Sequence, residues 1–395
     1  MSKEAPSLPP AGSTNYEIGK EIGQGSFATV YKGKHKLTGR PVALKVFDKT
    51  ILQTPEEFEM IKKELRILRK LDNPFLVRLL DMFSTSTKLY VVTEFLDGGE
   101  LIDYVIKFNR LDNFVAGKLF YQLLSAIEYL HDHSITHRDV KLENILLHDN
   151  FSVAKIVDLG LSKYTRERDL LYTKCGSPAY AAPEILGGSP YDKSVDVWSL
   201  GVSFFGILNG YLPFEDESTS ELYRKILNDS PVFHESVSLD ARELLAGMLR
   251  KDPQHRFSIE QIKKSRWYQA YCSNTTVVTS TSLKADAFAN PVFRQKLRQY
   301  GIKIDHALQQ VMSQKRDHVT ASCWLILQSL KRSNQLYQPQ TSSLLSRRAK
   351  KPITQIDTNL TRNDQQSSED DTTPLSKFAE RVMEAKSPLS GRSSK

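Results

Sequence analysis

The sequence predicts an α+β fold in which a small sheet-rich half precedes a larger helical half. Short runs of β-branched and aromatic residues, separated by turn residues, fill the chain as far as Phe95. After Gly98-Gly99 the apolar residues instead recur every three to four positions, which is the period of a buried helix face. The chain has 395 residues, 40% of them hydrophobic, so it can bury a sizeable core.

Strands and one helix are predicted in the first half. The predicted strands are residues 16–23, 28–35, 40–48 and 89–95. Turn residues such as Thr38-Gly39 separate them. Thr54-Pro55-Glu56-Glu57 then combines a capping box with a first-turn proline, which is typical of a helix start. The apolar residues that follow recur at helical spacing, and Glu64 lies beside this face, toward the strands.

The second half is predicted to be mainly helical, including residues 115–131 and 195–209. Its most apolar stretch, residues 197–214, is interrupted by serine, glycine and asparagine. These small and polar residues favour a buried helix over a membrane span, so we expect no integral membrane contact.

Composition divides the chain into five segments. Residues 1–15 are polar and rich in proline and serine, so we expect a disordered N-terminus without the apolar core of a signal peptide. Residues 16–268 carry the pattern described above, residues 269–287 form a linker rich in serine and threonine, and residues 288–332 return to helical periodicity. Residues 333–395 are polar with few aromatics, which predicts a disordered tail.

Charge and cysteine usage limit the class of protein. The formal net charge is +8, but no run of lysine and arginine alternates with stacking aromatics, so we expect no nucleic-acid partner. The three cysteines are widely spaced and odd in number, which fits a reducing compartment such as the cytoplasm. Arg347-Arg348-Ala349-Lys350-Lys351 is either a solvated linker or a patch for nuclear import or a membrane surface, so the nucleus is a second expected location.

The glycine-rich hexad at residues 23–28 is the first motif with a candidate chemical role. Gly23 and Gly25 would let backbone N–H groups approach phosphates, and Phe27 can shield the site from water. A glycine-rich hexad on its own is more often a turn than a nucleotide-binding loop. Here it joins two predicted strands rather than opening a helix, which argues against a dinucleotide-binding unit.

Lys45, on the third predicted strand, is the candidate partner of the phosphates. In this interpretation it holds the α- and β-phosphates, and Glu64, nineteen residues further on, holds Lys45 in turn. The alternative is a surface ion pair, which contributes roughly 0–1 kcal/mol. The apolar neighbours of Lys45 favour the first interpretation.

A second group of motifs supplies a base, a cation and metal ligands. His137-Arg138-Asp139, Lys141, Asn144 and Asp158-Leu159-Gly160 follow in that order. Asp139 would accept the hydroxyl proton of a serine or threonine, and Lys141 would neutralise charge on the transferred phosphate. Asn144 and Asp158 offer the hard oxygen ligands that Mg²⁺ prefers. His137 could itself be a base, but a structural ring packed under the loop is the favoured interpretation. His131 and His133, at the end of a predicted helix, are expected to be solvated or capping rather than metal ligands.

These motifs, in this order, resemble a eukaryotic protein kinase catalytic domain over residues 16–268. Ala182-Pro183-Glu184 resembles the motif that closes the activation segment. Lys141-Leu142-Glu143-Asn144 and the segment from Cys175 to Glu184 are similar to AMP-activated kinase relatives of the calmodulin-kinase-like group, which are Ser/Thr-specific. The resemblance implies a bilobal fold, ATP and Mg²⁺ as cofactors, protein substrates and an upstream activating kinase. The alternative is a pseudokinase scaffold.

The resemblance also assigns residues to the site. The residues implied to bind ATP are Ile22, Gly23, Gly25, Ser26, Val30, Ala43, Lys45, Glu64, Glu94, Leu96 and Glu100. Residues 94–96 would form the adenine-binding hinge, Glu100 would contact ribose, and Thr93 falls at the gatekeeper position. Asp196 resembles the anchor of the catalytic loop, and Arg256 falls where the family pairs an arginine with Glu184.

Regulation and substrate choice are expected to depend on charge. Arg138 and Lys163 match positions that reach the activation segment, where the two cations repel. A phosphate on Thr173, which matches the family's activation site, would satisfy both; alternatively Thr173 is only a loop hydroxyl. Glu100 and Glu143 match positions that select a basic residue before the acceptor, although either could be solvated or bound to ribose.

The second module, residues 288–332, is predicted to form three short helices, with Asp305 capping the second. It resembles the ubiquitin-associated-like domain that follows the catalytic domain in many AMP-activated kinase relatives. Gln299-Tyr300-Gly301 departs from the Met-Gly-Phe or Met-Gly-Tyr of ubiquitin binders, so intramolecular docking on the kinase is favoured over ubiquitin capture. In the tail, residues 374–385 show a weak amphipathic pattern that could dock on a partner or on the kinase surface.

Overall fold

The computed structural model describes residues 15–24, 28–50, 65, 68–149, 151–158, 178–273, 275, 283–333 and 336. Within these ranges a sheet-rich lobe precedes a helical lobe, and three further helices follow. The predicted α+β fold class is therefore confirmed. The helix predicted after Thr54 lies mostly outside the described residues; of its predicted buried face, Leu65 is fully buried.

The first lobe is a five-stranded antiparallel sheet with the order β1-β2-β3-β5-β4. Its strands are β1 (Tyr16–Gln24), β2 (Ala28–His35), β3 (Pro41–Asp48), β4 (Leu79–Ser84) and β5 (Lys88–Glu94). Because side chains alternate along a strand, β3 buries Val42 and Leu44 on one face and turns Ala43 and Lys45 to the other. One face of β3 therefore presents buried apolar side chains, and the other presents Ala43 and the charged Lys45.

The described part of the second lobe consists mainly of helices, with one two-stranded hairpin. Its helices are α1 (Leu101–Phe108), α2 (Asn113–Asp132), α3 (Pro183–Leu186), α4 (Ser194–Asn209), α5 (Thr219–Asn228), α6 (Leu239–Met248), α7 (Ile259–Lys264) and α8 (Arg266–Tyr271). The hairpin consists of β6 (Ile145–His148) and β7 (Val153–Ile156). Asp112 caps α2 by accepting the N–H groups of Phe114 and Val115.

Helix α4 explains the most apolar stretch of the sequence. Fifteen of its sixteen residues are buried, so it is surrounded by protein on all sides. The expected buried helix is therefore confirmed. Across the described ranges, every helix falls short of the length and apolarity that a bilayer span requires.

The linker predicted over residues 269–287 is ordered at both ends. Helix α8 continues to Tyr271, and Cys272 is buried with its thiol donating to the carbonyl of Gly117 at 3.4 Å. A short 3₁₀ helix covers Ala285–Ala289 and buries Phe288. Buried apolar side chains thus order residues that composition alone assigned to a linker.

Three helices follow, α9 (Pro291–Gln299), α10 (Ile304–Met312) and α11 (His318–Arg332). Asn290 caps α9, and Asp317 forms a capping box with Thr320 at the start of α11. The predicted cap of the second helix is wrong, because Lys303 holds the cap position and Asp305 lies inside the first turn. There its carboxylate still interacts favourably with the helix dipole.

This helical module lies against the outer face of the sheet. One hydrophobic cluster contains Val42, Leu44 and Leu80 of the sheet together with Phe293 and Leu327 of the module. Polar contacts surround this shared core. The Arg316 Nε donates to the carbonyl of Arg69 at 3.1 Å, the Arg78 guanidinium lies 5.6 Å from the Trp324 ring centroid, and the Ser322 hydroxyl is 3.3 Å from His35 Nε2.

Candidate active site

The inner face of the sheet carries the predicted nucleotide-binding side chains that the structure describes. Val30 lies opposite Lys45 across β2 and β3, and Ala43 lies opposite Thr93 across β3 and β5. Gly23 pairs with Val30, next to the exposed Ile22. Gly25, Ser26 and Glu64 lie outside the described residues.

Lys45 reaches the helical lobe. Its ammonium forms an ion pair with the Oδ1 of Asp158, which follows strand β7. Both side chains keep some solvent exposure, 17% for Lys45 and 36% for Asp158. The structure therefore brings together two of the predicted site residues from opposite lobes, a contact that the sequence motifs did not predict.

Asp196 holds the catalytic loop. Its fully buried carboxylate accepts the backbone N–H groups of His137 and Arg138, both at 2.8 Å. Its Oδ2 also lies 2.9 Å from the Nε2 of His131. Arg138 has a φ of +69°, a conformation that non-glycine residues rarely adopt without such support. The expected anchoring role of Asp196 is confirmed, whereas the expectation of a solvated or capping His131 is wrong, because this carboxylate needs a buried partner.

Asp139 is tied to two other predicted residues. The Nδ2 of Asn144 donates to the backbone carbonyl and to the Oδ2 of Asp139, both at 2.9 Å. The Nζ of Lys141 lies 3.5 Å from the same Oδ2. His137 is buried, and its Nδ1 accepts the Asp139 N–H at 3.2 Å, which fits the structural role expected for this ring.

Lys141 remains cationic in this setting. Burial by itself would lower the pKa of its ammonium, but the carboxylates of Asp139 and Glu143 outweigh burial, so the pKa is raised. A permanent positive charge therefore lies beside the proposed base. Such a charge can stabilise negative charge that develops on a transferred group.

The donor set fits a hard divalent cation. Asn144 uses its Nδ2 on Asp139, which leaves the amide oxygen as the atom that could ligate a metal. Asp158 contributes carboxylate oxygens, and the Val157 N–H donates to the carbonyl of Asn144 at 2.8 Å. The two predicted ligands are thus held on adjacent backbone. Mg²⁺ commonly takes only one or two protein ligands beside phosphate oxygens, so this pair is sufficient.

A buried ion pair supports the predicted hinge. The Glu94 Oε1 accepts the Lys155 Nζ at 2.6 Å and the Arg78 N–H at 2.9 Å. The Glu94 and Lys155 side chains are only 5% and 3% exposed. The sequence motifs implied only a hinge role for Glu94 and no partner for its side chain. An isolated glutamate in an apolar strand, with a lysine in another, is the signal that could have revealed this pair.

The segment after Glu94 joins the two lobes. Leu96 is buried, and the Gly98 N–H donates to the carbonyl of Leu147 at 2.9 Å. Glu100 forms an isolated bridge with Leu146 and precedes helix α1. The residues predicted to contact adenine and ribose are therefore fixed to the β6–β7 hairpin.

Two acidic residues below the cleft are buried. Glu184 receives a bidentate pair of hydrogen bonds from Arg256, at 2.7 and 2.9 Å, which confirms the predicted pairing. Glu143 is 6% exposed beside Tyr180, whose pKa is raised by burial and by the Glu143 carboxylate. The alternative of a solvated Glu143 is therefore wrong.

The predicted regulatory residues are only partly described. Thr173, Lys163 and Leu159 lie outside the described residues. The Arg138 guanidinium lies 5.4 Å from the ring centroid of Tyr191. It thus faces the part of the chain that follows the activation motif Ala182-Pro183-Glu184.

A lysine of a sheet lobe paired with an aspartate of a helical lobe, above an anchored Asp-Lys-Asn loop, defines the class of protein kinases. The chain belongs to the protein kinase family, since the family model described as "Protein kinase domain" matches residues 16–268. The resemblance drawn from the sequence motifs is confirmed at this level.

The curated relatives are protein kinases by name, and one of the three below is named a serine/threonine kinase. The chain is 35% identical to the rice (Oryza sativa subsp. indica) "Serine/threonine protein kinase OSK4" over 326 residues, 82% of this chain and 64% of the relative. It is 40% identical to "SNF1-related protein kinase catalytic subunit alpha KIN12" of Arabidopsis thaliana over 64% of this chain and 51% of the relative. It is 38% identical to rice (Oryza sativa subsp. japonica) "CBL-interacting protein kinase 11" over 68% of this chain and 55% of the relative. The chain thus spans less than two thirds of the length of these relatives.

Thr93 gives a prediction about inhibitors. It is half-buried on β5 opposite Ala43, and we expect its small side chain to leave space for ligands beside the inner face of the sheet. Thr93→Met should fill that space and weaken inhibitors that need a small gatekeeper by about tenfold or more, because overpacking a closed site costs typically 1–3 kcal/mol. Dose–response curves measure this, with the KM for ATP as the control. Equal potency on both forms would contradict it.

Proposed function

We propose that the chain is a Ser/Thr protein kinase that transfers the γ-phosphate of Mg-ATP to hydroxyl groups of protein substrates. The observation that supports it most is the convergence of Lys45, Asp158, Asn144 and Asp139 on one cleft between the lobes. The name "Serine/threonine protein kinase" of the rice relatives OSK4 and OSK3 supports the same class. No residue described at this site departs from the side chain that transfer requires, which counts against the pseudokinase alternative.

In this proposal each residue acts by position and charge. Mg-ATP supplies a phosphoryl group whose transfer needs little covalent chemistry from the protein. Lys45 holds the α- and β-phosphates, and Asn144 and Asp158 hold the metal. Asp139 orients the substrate hydroxyl and accepts its proton, while Lys141 neutralises developing charge. The bonds that Asn144 and Lys141 make to Asp139 fix its carboxylate before substrate arrives.

A peptide assay tests this proposal. The full chain is incubated with Mg-ATP and a serine peptide that carries arginine before the acceptor, matched with a peptide that carries glutamate there. Transfer to the basic peptide in preference to the acidic one supports both the activity and the proposed role of Glu100 and Glu143. ATP binding without transfer to any peptide would instead favour the scaffold.

Thr173 is the proposed activation site, phosphorylated by an upstream kinase. Its phosphate would neutralise the repulsion between Arg138 and Lys163 and order the activation segment that carries Thr173. We expect Thr173→Ala to lower activity by about tenfold or more, since one hydrogen bond to a charged group contributes roughly 1.5–3 kcal/mol. Phosphatase-treated wild type should fall to the same level. Full activity of the variant beside a phosphorylated wild type would end this proposal.

We further propose that the module of α9–α11 regulates the kinase by docking on it within the same chain, rather than by binding ubiquitin. Its packing on Val42, Leu44 and Leu80 supports this, since it already buries the module's apolar side chains. Titration with ubiquitin distinguishes the two roles: saturable binding would favour capture. The ubiquitin-associated-like kinship of the module, a cytoplasmic or nuclear location and the absence of nucleic-acid partners remain proposals from the sequence.

A further inference from the structure

Two exposed aromatic side chains and one half-buried one form a patch on the helical lobe. The aromatic patch consists of Tyr104 and Phe108 of α1 and Phe151 of the β6–β7 turn. The Tyr104 ring centroid lies 4.6 Å from that of Phe108 and 5.3 Å from that of Phe151. Phe108 is 47% exposed and Phe151 is 51% exposed. Clustered exposed apolar side chains of this kind mark interaction surfaces.

The backbone holds Phe151 in place at a cost in strain. Its φ is +64°, in the left-handed region that bulky residues rarely adopt. Such strain usually accompanies a functional constraint rather than simple packing. None of the residues assigned to phosphate transfer contacts this patch, so the proposed kinase activity does not account for it.

The described chain ends near this patch. The Arg332 guanidinium, at the end of α11, contacts the Nε2 of His148, whose Nδ1 lies 2.6 Å from the Oδ1 of Asp97. His148 and Phe151 belong to the same hairpin, three positions apart. Leu336 accepts a hydrogen bond from Asn290 at 3.4 Å. The chain therefore begins its last segment beside the hairpin that carries the patch.

We propose that residues 374–385 of the same chain pack on the aromatic patch. Leu375, Phe378 and Val382 recur every three to four residues, with Met383 adjacent, so they share one face of a helix. The 37 residues between Leu336 and Pro374 span roughly 30–35 Å as a flexible chain. That reach allows the segment to meet the patch at an effective concentration on the order of millimolar.

Charge complements the apolar fit. Lys107 is exposed and lies 5.4 Å from the Phe108 ring centroid, whereas the exposed Arg110 has its Nη1 3.1 Å from the Nε2 of His234. Among the described carboxylates, none forms an ion pair with either cation. The acidic run Glu369-Asp370-Asp371 lies two residues before the proposed segment, whose own Glu380 and Glu384 are balanced by Lys377 and Arg381. The acidic run can therefore meet the exposed Lys107 when the segment packs on the patch.

A binding experiment tests this pairing. The chain is truncated after Gln366, and a fluorescein-labelled peptide of residues 366–388 is titrated against it by anisotropy. We expect saturable binding that weakens about tenfold or more with Phe108→Ala/Phe151→Ala, because each exposed ring contributes contact area at the patch. Both side chains are half exposed, so this double variant should fold. The matched control is Leu239→Ala, a residue 81% exposed at the start of α6, which should not change the affinity.

The full chain supplies the second measurement. Hydrogen exchange of α1 and of the β6–β7 hairpin should be slower in the full chain than in the truncated one, and Leu375→Ser/Phe378→Ser should remove that protection. Equal affinity for the patch variant and its parent would overturn the proposal. So would unchanged exchange after truncation, or exchange protection that depends on protein concentration, which would indicate a second copy on the patch.

Discussion

Lys45→Met and Asp158→Asn should each lower the rate of phosphate transfer by about a hundred- to a thousandfold or more. In the proposed mechanism each change removes a charge that holds the α- and β-phosphates or the metal, and preorganised charges of this kind contribute about that much to enzyme rates. The two side chains form one ion pair across the lobes, so each variant also leaves its partner misplaced. Initial rates with a basic serine peptide measure the effect.

Folding should be unaffected in both variants. Lys45 is 17% exposed and Asp158 is 36% exposed, and partly exposed ion pairs contribute little to stability. Thermal unfolding should therefore remain close to that of the wild type. Lys34→Met, an exposed lysine on the neighbouring strand β2, is the matched control and should retain activity. A Lys45 or Asp158 variant with half the wild-type rate would refute the assigned roles.

The second large effect concerns stability. Arg256→Met should lower the free energy of unfolding by about 3–5 kcal/mol, because it leaves the Glu184 carboxylate buried without its cation. The Arg256 and Glu184 side chains are 0% and 6% exposed, and their two hydrogen bonds are 2.7 and 2.9 Å long. Arg256 also donates to the carbonyl of Ser194 at 3.1 Å, which ties this pair to the start of α4. Urea unfolding curves give the change directly.

A matched arginine on the surface provides the control. Arg224 also pairs with two carboxylates, Glu221 and Asp229, but its side chain is 49% exposed. Arg224→Met should therefore change the free energy of unfolding far less than Arg256→Met, because exposed ion pairs are screened by solvent. In a double-mutant cycle, Arg256→Met with Glu184→Gln should lose less than the sum of the two single changes. Additive losses, or a loss below that of Arg224→Met, would show that the buried pair is not a unit.

Local patterns in the sequence predicted most of the fold. Strand β2 runs from Ala28 to His35, as alternation and turn residues indicated, and β1 and β3 differ from prediction by one residue at an end. Strand β4 was not predicted. Its first three residues, Leu79, Leu80 and Asp81, are all buried, so it shows no alternation. The buried Asp81 accepts from Tyr16 at 2.9 Å, across 65 positions, and no local pattern can reveal such a partner.

The site residues likewise fall into those that are close in sequence, which could be predicted together, and those that are distant in sequence, whose contacts could not be predicted. Motif order predicted the catalytic loop, because Asp139, Lys141 and Asn144 are close along the chain and a short loop must bring them together. The pairs Lys45–Asp158 and Glu94–Lys155 join residues 113 and 61 positions apart. Such contacts depend on how the two lobes meet, which spacing does not determine. His131 was misjudged for the same reason, since its partner Asp196 lies 65 positions away.

Strand β3 serves two surfaces at once. Its odd-numbered side chains Ala43 and Lys45 face the cleft, while its even-numbered side chains Val42 and Leu44 belong to the core shared with the helical module. A shift of this strand would therefore move side chains both in the cleft and in the core shared with the helical module. By thermodynamic reciprocity, any factor by which the packed module changes nucleotide affinity must equal the factor by which nucleotide changes the packing equilibrium of the module.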